Sequence, residues 1–237
     1  MTILQAIRNN VPNAVTCCNL LSGALACIAS FHAFESWWWG LQGYQVAFVL
    51  IAAAAVFDFF DGFTARLLHA VSPLGKELDS LSDAVSFGLA PGMVLYNMLV
   101  KFVPDCPCFA YVAMLIPVFG ALRLAKFNVS TDQSTTFTGL PIPANAIFWI
   151  GFTNFYAESH ANVPTWAVAV LVVAFSLLMV CNLRMFSLKL HSLDVKENYK
   201  QYLLVLAFVL LVAFFGVTGL AGAILFYIVL SAITKQD

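Results

Sequence analysis

The sequence predicts an all-α integral membrane protein of about eight transmembrane helices, with both termini cytoplasmic. Three observations carry this. Of 237 residues, 62% are hydrophobic and only 10% charged, too little charge to clothe a soluble domain of this length. Apolar runs recur along the chain at close to the roughly 20 residues that a bilayer-spanning helix requires. The lysines and arginines gather on alternate sides of those runs, as positive charge does in cytoplasmic loops.

Polar breaks divide the apolar sequence into segments near residues 14–34, 43–68, 80–102, 108–128, 141–157 and 163–186. A last apolar stretch, 202–233, is too long for one helix across a hydrocarbon core about 30 Å thick. Gly216-Val217-Thr218-Gly219 at its middle predicts two short helices joined by a tight turn, which brings the spans to eight. Arg8, Arg66, Lys76, Arg123, Lys126, Arg184, Lys189, Lys196, Lys200 and Lys235 then lie on the cytoplasmic side. Of the 11 cations only Lys101 falls outside. Trp37, Trp38 and Trp39 occupy the first outer loop, where tryptophans form an interfacial belt. Arg8 and the apolar run to Ala24-Leu25-Ala26-Cys27 have the outline of a secretion signal. The equally apolar sequence downstream marks that run instead as a retained span.

A net charge of -1 shows no basic excess, so nucleic acid is not an expected partner. Four of the six cysteines, Cys17, Cys18, Cys27 and Cys181, lie within or beside apolar segments, where cysteine behaves as a small hydrophobe. Cys106 and Cys108 sit in a loop. Their Cys-Pro-Cys spacing matches no common zinc pattern, and a structural or incidental role is expected.

The informative region is Val56-Phe57-Asp58-Phe59-Phe60-Asp61-Gly62-Phe63-Thr64-Ala65-Arg66, followed by Gly75-Lys76-Glu77-Leu78-Asp79-Ser80-Leu81-Ser82-Asp83. Ionisable groups inside spans cost several kcal/mol and usually mark a working site. At about 100° per residue, Asp58, Asp61, Gly62 and Ala65 fall on one stripe of a helix. Asp79 and Asp83, spaced i, i+4, share a face of the next, with Ser82 and Ser86 in the same sector. An antiparallel hairpin brings the four aspartates together, with small residues leaving room for a ligand. Four carboxylates in a low dielectric repel unless compensated, and two divalent cations would neutralise them. Oxygen-only ligands favour magnesium, manganese or calcium over zinc. The competing reading is solvent-wetted aspartates paired with Arg66 or Lys76.

At these residues the sequence resembles the CDP-alcohol phosphatidyltransferase family, whose signature is D-x2-D-G-x2-A-R-x8-G-x3-D-x3-D. Asp58, Asp61, Gly62, Ala65, Arg66, Gly75, Asp79 and Asp83 match all eight fixed residues over 26 positions. The resemblance implies a six-helix catalytic core over 1–186 and two additional helices over 202–233, all within a single membrane domain, 1–237. It implies two divalent cations, Mg2+ or Mn2+, held by Asp58, Asp61 and Asp79 with Asp83 contributing, and Asp83 as general base. Gly62 and Ala65 would let the cytidine nucleotide approach, while Arg66 and Ser72 contact the CDP-lipid. Asn13 and Thr16, in Pro12-Asn13-Ala14-Val15-Thr16, resemble the family's nucleotide-side opening of the first span. The family is often homodimeric.

Within the family, three stretches resemble the members that use serine: Asp79 to Pro91, Leu122 to Asn128, and Phe137 to Ala144. The implied reaction is CDP-diacylglycerol plus L-serine giving phosphatidylserine and CMP, in a bacterial cytoplasmic membrane with the site facing the cytoplasm. Ser82, Ser86, Arg123 and Lys126 are the candidates for acceptor contact. Arg123 and Lys126 offer cations for the serine carboxylate, though basic residues there also satisfy the positive-inside rule alone. A sibling enzyme using glycerol 3-phosphate or an inositol acceptor would need a denser cationic cluster. A cation transporter would place its acidic site nearer the bilayer midplane.

Overall fold

The computed structural model describes residues 3–104, 106–129, 137–159, 163–186 and 198–233. Lys189, Lys196 and Lys235, expected on the cytoplasmic side, lie outside the described residues, as do the side chains of Arg8 and Arg184. The described residues are helical almost throughout: α1 (Ile3–Phe31), α2 (Gly43–Leu67), α3 (Pro73–Asp83), α4 (Ala90–Phe102), α5 (Leu115–Val129), α6 (Ile142–Glu158), α7 (Thr165–Val180), α8 (Tyr199–Phe215) and α9 (Gly219–Ile233). Five helical runs are long and apolar enough to cross a membrane: Asn10–Phe31, Gly43–Leu67, Pro73–Phe102, Pro107–Val129 and Tyr199–Ile233. Large apolar side chains such as Leu21, Phe59, Val205 and Phe214 point outward, as they do where lipid rather than water surrounds a protein. The residues form two compact units, Met1–Leu124 and Ala125–Asp237, which divide within α5.

In the first unit α1 packs against α2, α3 and α4. Between α3 and α4 the helix widens into one π turn, Ala84–Leu89, so Pro73–Phe102 is one helical run. Pro91 can donate to neither Phe87 O nor Ser86 O, and its ring crowds the Phe87 carbonyl, a clash that the wider turn relieves. The π turn sets Ser86 against α1, where its hydroxyl donates to Asn19 O at 3.0 Å. A Cβ at Gly23 would overlap Ser86 Oγ and Cα, so only glycine permits this approach. Gly23→Val is expected to destabilise the unit by about 1–3 kcal/mol, read as a lower thermal midpoint in detergent.

The loop between α1 and α2 is a short hairpin in which Ser36 pairs with Gln42 and Trp38 with Leu41. Trp39 and Gly40 turn it, both at positive φ. Trp37 stacks on His32 at 5.3 Å, whereas Trp39 is 93% exposed, as a membrane-interface tryptophan would be.

In the second unit the aromatic core is built on α6 and α7, with Trp149 fully buried and Phe148 stacked on Phe175 at 3.7 Å. Trp149 Nε1 donates to Asn145 Oδ1 at 3.1 Å, which satisfies the indole inside an apolar interior. Gly139 N–H to Leu183 O (2.8 Å) and Leu140 N–H to Leu178 O (2.9 Å) pin the segment before α6 to the end of α7. The last apolar stretch breaks where its glycines predict. Gly216 ends α8 at φ 58, and Gly219 packs against the Leu211 backbone, so α9 doubles back on α8. The 17 residues of α8 rise about 25 Å.

Candidate active site

The hairpin joining α2 to α3 is set by the caps at its two ends. Leu68 closes α2, and His69 follows at φ 49. Ala70 N–H reaches back to Ala65 O at 2.9 Å and His69 N–H to Arg66 O at 3.2 Å, a Schellman ending with histidine in the place glycine usually takes. Three residues later Ser72 caps α3 by accepting from Gly75 N–H at 3.0 Å, and Pro73 opens the helix. Both signals are local to the sequence. Together they hold the end of α2 and the start of α3 in fixed relation, and so fix where the aspartates meet.

Asp58, Asp61 and Asp79 each offer a carboxylate oxygen within 4.8 Å of the others. Asp61 is only 6% exposed, and its Oδ2 has no hydrogen-bond partner among the described residues. Asp83 stands on the inner side of this cluster. Its Oδ1 accepts from Asn19 Nδ2 at 3.5 Å, and Asp58 lies within hydrogen-bonding reach of both Asp79 and Asp83. Among the described residues no lysine or arginine forms an ion pair with any of the four. The alternative of aspartates neutralised by Arg66 or Lys76 therefore loses its support. A buried orphan oxygen and three converging carboxylates suit a hard divalent cation.

Beside the cluster opens a cavity of about 260 Å³. Its walls include Asn13 and Thr16 of α1, Asp61, Gly62, Ala65 and Arg66 of α2, and Ser72, Gly75, Lys76 and Asp79. All six residues expected to meet the CDP-lipid line this one space. A Cβ at Gly62 would meet nothing nearer than Arg66 Nη2 at 4.0 Å, so the glycine leaves room for a ligand rather than for packing. Gly75 does the opposite. A Cβ there would lie 3.1 Å from Asn13 Oδ1, so its absence lets α1 close against α3.

The acceptor candidates fall elsewhere. Ser82 and Ser86 are fully buried. The Ser82 hydroxyl is in reach of Thr16 O at 3.2 Å and Leu78 O at 2.9 Å, and that of Ser86 donates to Asn19 O. Both lace α3 and the π turn to α1. Arg123 is half-buried on α5 and does not line the cavity. Lys126 donates to Val180 O at 3.1 Å and Asn182 Oδ1 at 3.0 Å, which ties α5 to the end of α7.

Two residues were not singled out as site residues from the sequence. Asn19 is fully buried beside Asp83. Asn13, Thr16 and Asn19 recur at i, i+3 and i+6 in an apolar helix, a polar stripe that marks a face turned toward the site. Lys76 lines the cavity, whereas the sequence offers it only as a cytoplasmic cation and as an ion-pair partner for the aspartates.

Helices of membrane-spanning length carry this carboxylate hairpin beside the cavity. The CDP-alcohol phosphatidyltransferase family matches over residues 9–174, and the chain belongs to that family. Among its relatives is a CDP-diacylglycerol–serine O-phosphatidyltransferase of Mycobacterium leprae (strain TN). It is 38% identical over 165 residues, 65% of this chain and 53% of the relative. The enzyme of the same name from Helicobacter pylori (strain ATCC 700392 / 26695) is 33% identical over 207 residues, 85% of this chain and 80% of the relative. An archaetidylserine synthase of Methanothermobacter thermautotrophicus is 35% identical over 168 residues, 69% of this chain and 67% of the relative. The matched region spans about half the length of the mycobacterial protein.

Proposed function

We propose that the chain transfers the phosphatidyl group of CDP-diacylglycerol to the hydroxyl of L-serine, giving phosphatidylserine and CMP. The observation that carries this is the cavity whose lining brings Asp61 and Asp79 together with Arg66 and Lys76. It can face a diphosphate with cations and with metal-holding carboxylates together. The serine acceptor is supported by the mycobacterial and Helicobacter relatives, both named CDP-diacylglycerol–serine O-phosphatidyltransferases.

In this reading Asp58, Asp61 and Asp79, with Asp83 contributing, hold two divalent cations, Mg2+ or Mn2+. Bound there, they would neutralise the carboxylates and offset the negative charge of the diphosphate. Arg66, Ser72, Asn13 and Thr16 orient the CDP-lipid, and the open face of Gly62 and Ala65 admits the cytidine. Asp83 accepts the proton of the serine hydroxyl as that oxygen attacks phosphorus and CMP leaves. Asn19 restrains the carboxylate that does this. Arg123 and Lys126 remain the proposed partners of the serine carboxylate, while Ser82 and Ser86 act by holding α1 in place.

The proposed topology has eight spans, both termini cytoplasmic and the site open to the cytoplasm and to lipid, in a bacterial cytoplasmic membrane. The placement of cations supports it. The reading treats the chain as a single domain, with a core to residue 186 and two further helices, assembled as a homodimer.

The test is CMP release by purified protein from CDP-diacylglycerol with Mn2+ or Mg2+. Release is expected to require both metal and L-serine. Release driven only by glycerol 3-phosphate or inositol would keep the family and remove serine. No release with any acceptor, from folded protein, would remove the enzymatic reading.

A further inference from the structure

The turn between α4 and α5 carries two thiols that the proposed reaction does not use. Cys106 and Cys108 flank Pro107, and both are exposed. Their sulfurs lie 3.3 Å apart, in contact. The backbone around them is braced on both sides. Cys106 N–H donates to Val103 O at 3.3 Å, and Cys106 O accepts from Phe109 N–H at 3.0 Å. Pro107 fixes its own φ and opens a short 3-10 helix, Pro107–Met114. Tyr111 of that helix packs on Tyr96 of α4 at 5.5 Å, so the turn is anchored from behind.

Two sulfurs held at contact distance need only small side-chain rotations to reach the roughly 2.05 Å of a covalent S–S bond. The other cysteines are placed differently. Cys17 and Cys18 are consecutive on α1, where neighbours in sequence do not face each other. Cys27 and Cys181 are half-buried, and the Cys181 thiol donates to Leu178 O at 3.2 Å.

We infer that Cys106 and Cys108 form a redox-active dithiol, a site at which thiol–disulfide exchange closes a Cys-Pro-Cys disulfide. The oxidant is a disulfide, either of a small molecule or of a protein. One cysteine thiolate attacks it, and half of the oxidant leaves as a thiol. The second cysteine thiolate then attacks the mixed disulfide and expels the other half. One S–S bond is broken and one is made, and two electrons and two protons pass to the oxidant. An exposed disulfide in so short a loop is readily reduced, so the modification is reversible. In the topology proposed above, the turn lies on the side away from the cytoplasm, where disulfides persist.

The test counts maleimide-reactive thiols by intact mass after full-length protein in detergent has been incubated with oxidised glutathione and denatured. The count is expected to fall from the six free cysteines by two, in monomeric protein, and to recover with dithiothreitol. Cys106→Ser, with one thiol fewer, has no second thiol to resolve a mixed disulfide. It should lose at most one under the same treatment, as a glutathione adduct visible in the intact mass. Any of four results would overturn the inference: a count that stays at six, a covalent dimer on a non-reducing gel, a glutathione adduct that never resolves, or loss of two thiols in the Cys106→Ser variant.

Discussion

Asp83→Asn is expected to lower kcat for serine-dependent CMP release by about 10²–10⁴-fold, the usual worth of a positioned general base. At saturating metal, which compensates for any loss of Asp83's share in the metal site, CDP-diacylglycerol binding should survive, because Asp83 is not among the residues that line the cavity. The asparagine keeps a carbonyl oxygen where Asp83 Oδ1 accepts from Asn19 at 3.5 Å, so the packing of α1 against α3 is retained. It has no basic oxygen to take a proton. A fall in kcat with little change in KM for the CDP-lipid, at an unchanged thermal midpoint, is therefore the expected pattern. An unchanged kcat would remove Asp83 from proton transfer. A fall matched by a collapsed thermal midpoint would assign it to structure instead.

Much of this architecture is legible in local sequence because its signals are local. The end of α2 at Leu67 falls where the apolar run 43–68 stops, although α3 starts at Pro73, earlier than the apolar run from residue 80 indicates, because its first turns are polar. The break at Gly216 follows from glycine's tolerance of positive φ. The aspartate hairpin is legible for the same reason: two i, i+3 and i, i+4 spacings and a short connection suffice to bring the carboxylates together. What local reading misses depends on partners distant in the chain. The hydroxyls of Ser82 and Ser86 share the aspartate sector, which made them candidates for the acceptor. Their bonds run to α1, 66 and 67 residues away, and no periodicity reports such a distance. The π turn at Ala84–Leu89 is equally hidden, since a single widened turn leaves the apolar pattern of the span intact. Asn19 shows the intermediate case. Its polar stripe with Asn13 and Thr16 is visible in the sequence, but its neighbour Asp83 is visible only once α1 and α3 are packed.

Asp61→Asn is expected to move stability in opposite directions with and without metal. Without metal, three carboxylate oxygens within 4.8 Å of one another repel, by on the order of 3 kcal/mol per pair at an effective dielectric of about 20. Among the described residues no cationic side chain pairs with them to offset this. Removing one charge relieves part of that repulsion, so the chelator-treated variant should melt above the chelator-treated native protein. With Mn2+ the order should invert. A ligand that binds only the folded state adds about 2.7 kcal/mol at a hundredfold excess over its Kd, and the variant forfeits most of that gain together with CMP release. Asparagine retains one oxygen, yet it lacks the charge that draws a hard cation into a buried position. Thermal unfolding in detergent, across a Mn2+ titration begun from chelated protein, reads both effects in one experiment. Crossing curves separate a metal ligand from an ordinary interfacial carboxylate, which would shift the midpoint alike at every metal concentration. If the variant keeps the full metal-induced rise, Asp61 is not a ligand, and its orphaned Oδ2 needs another explanation.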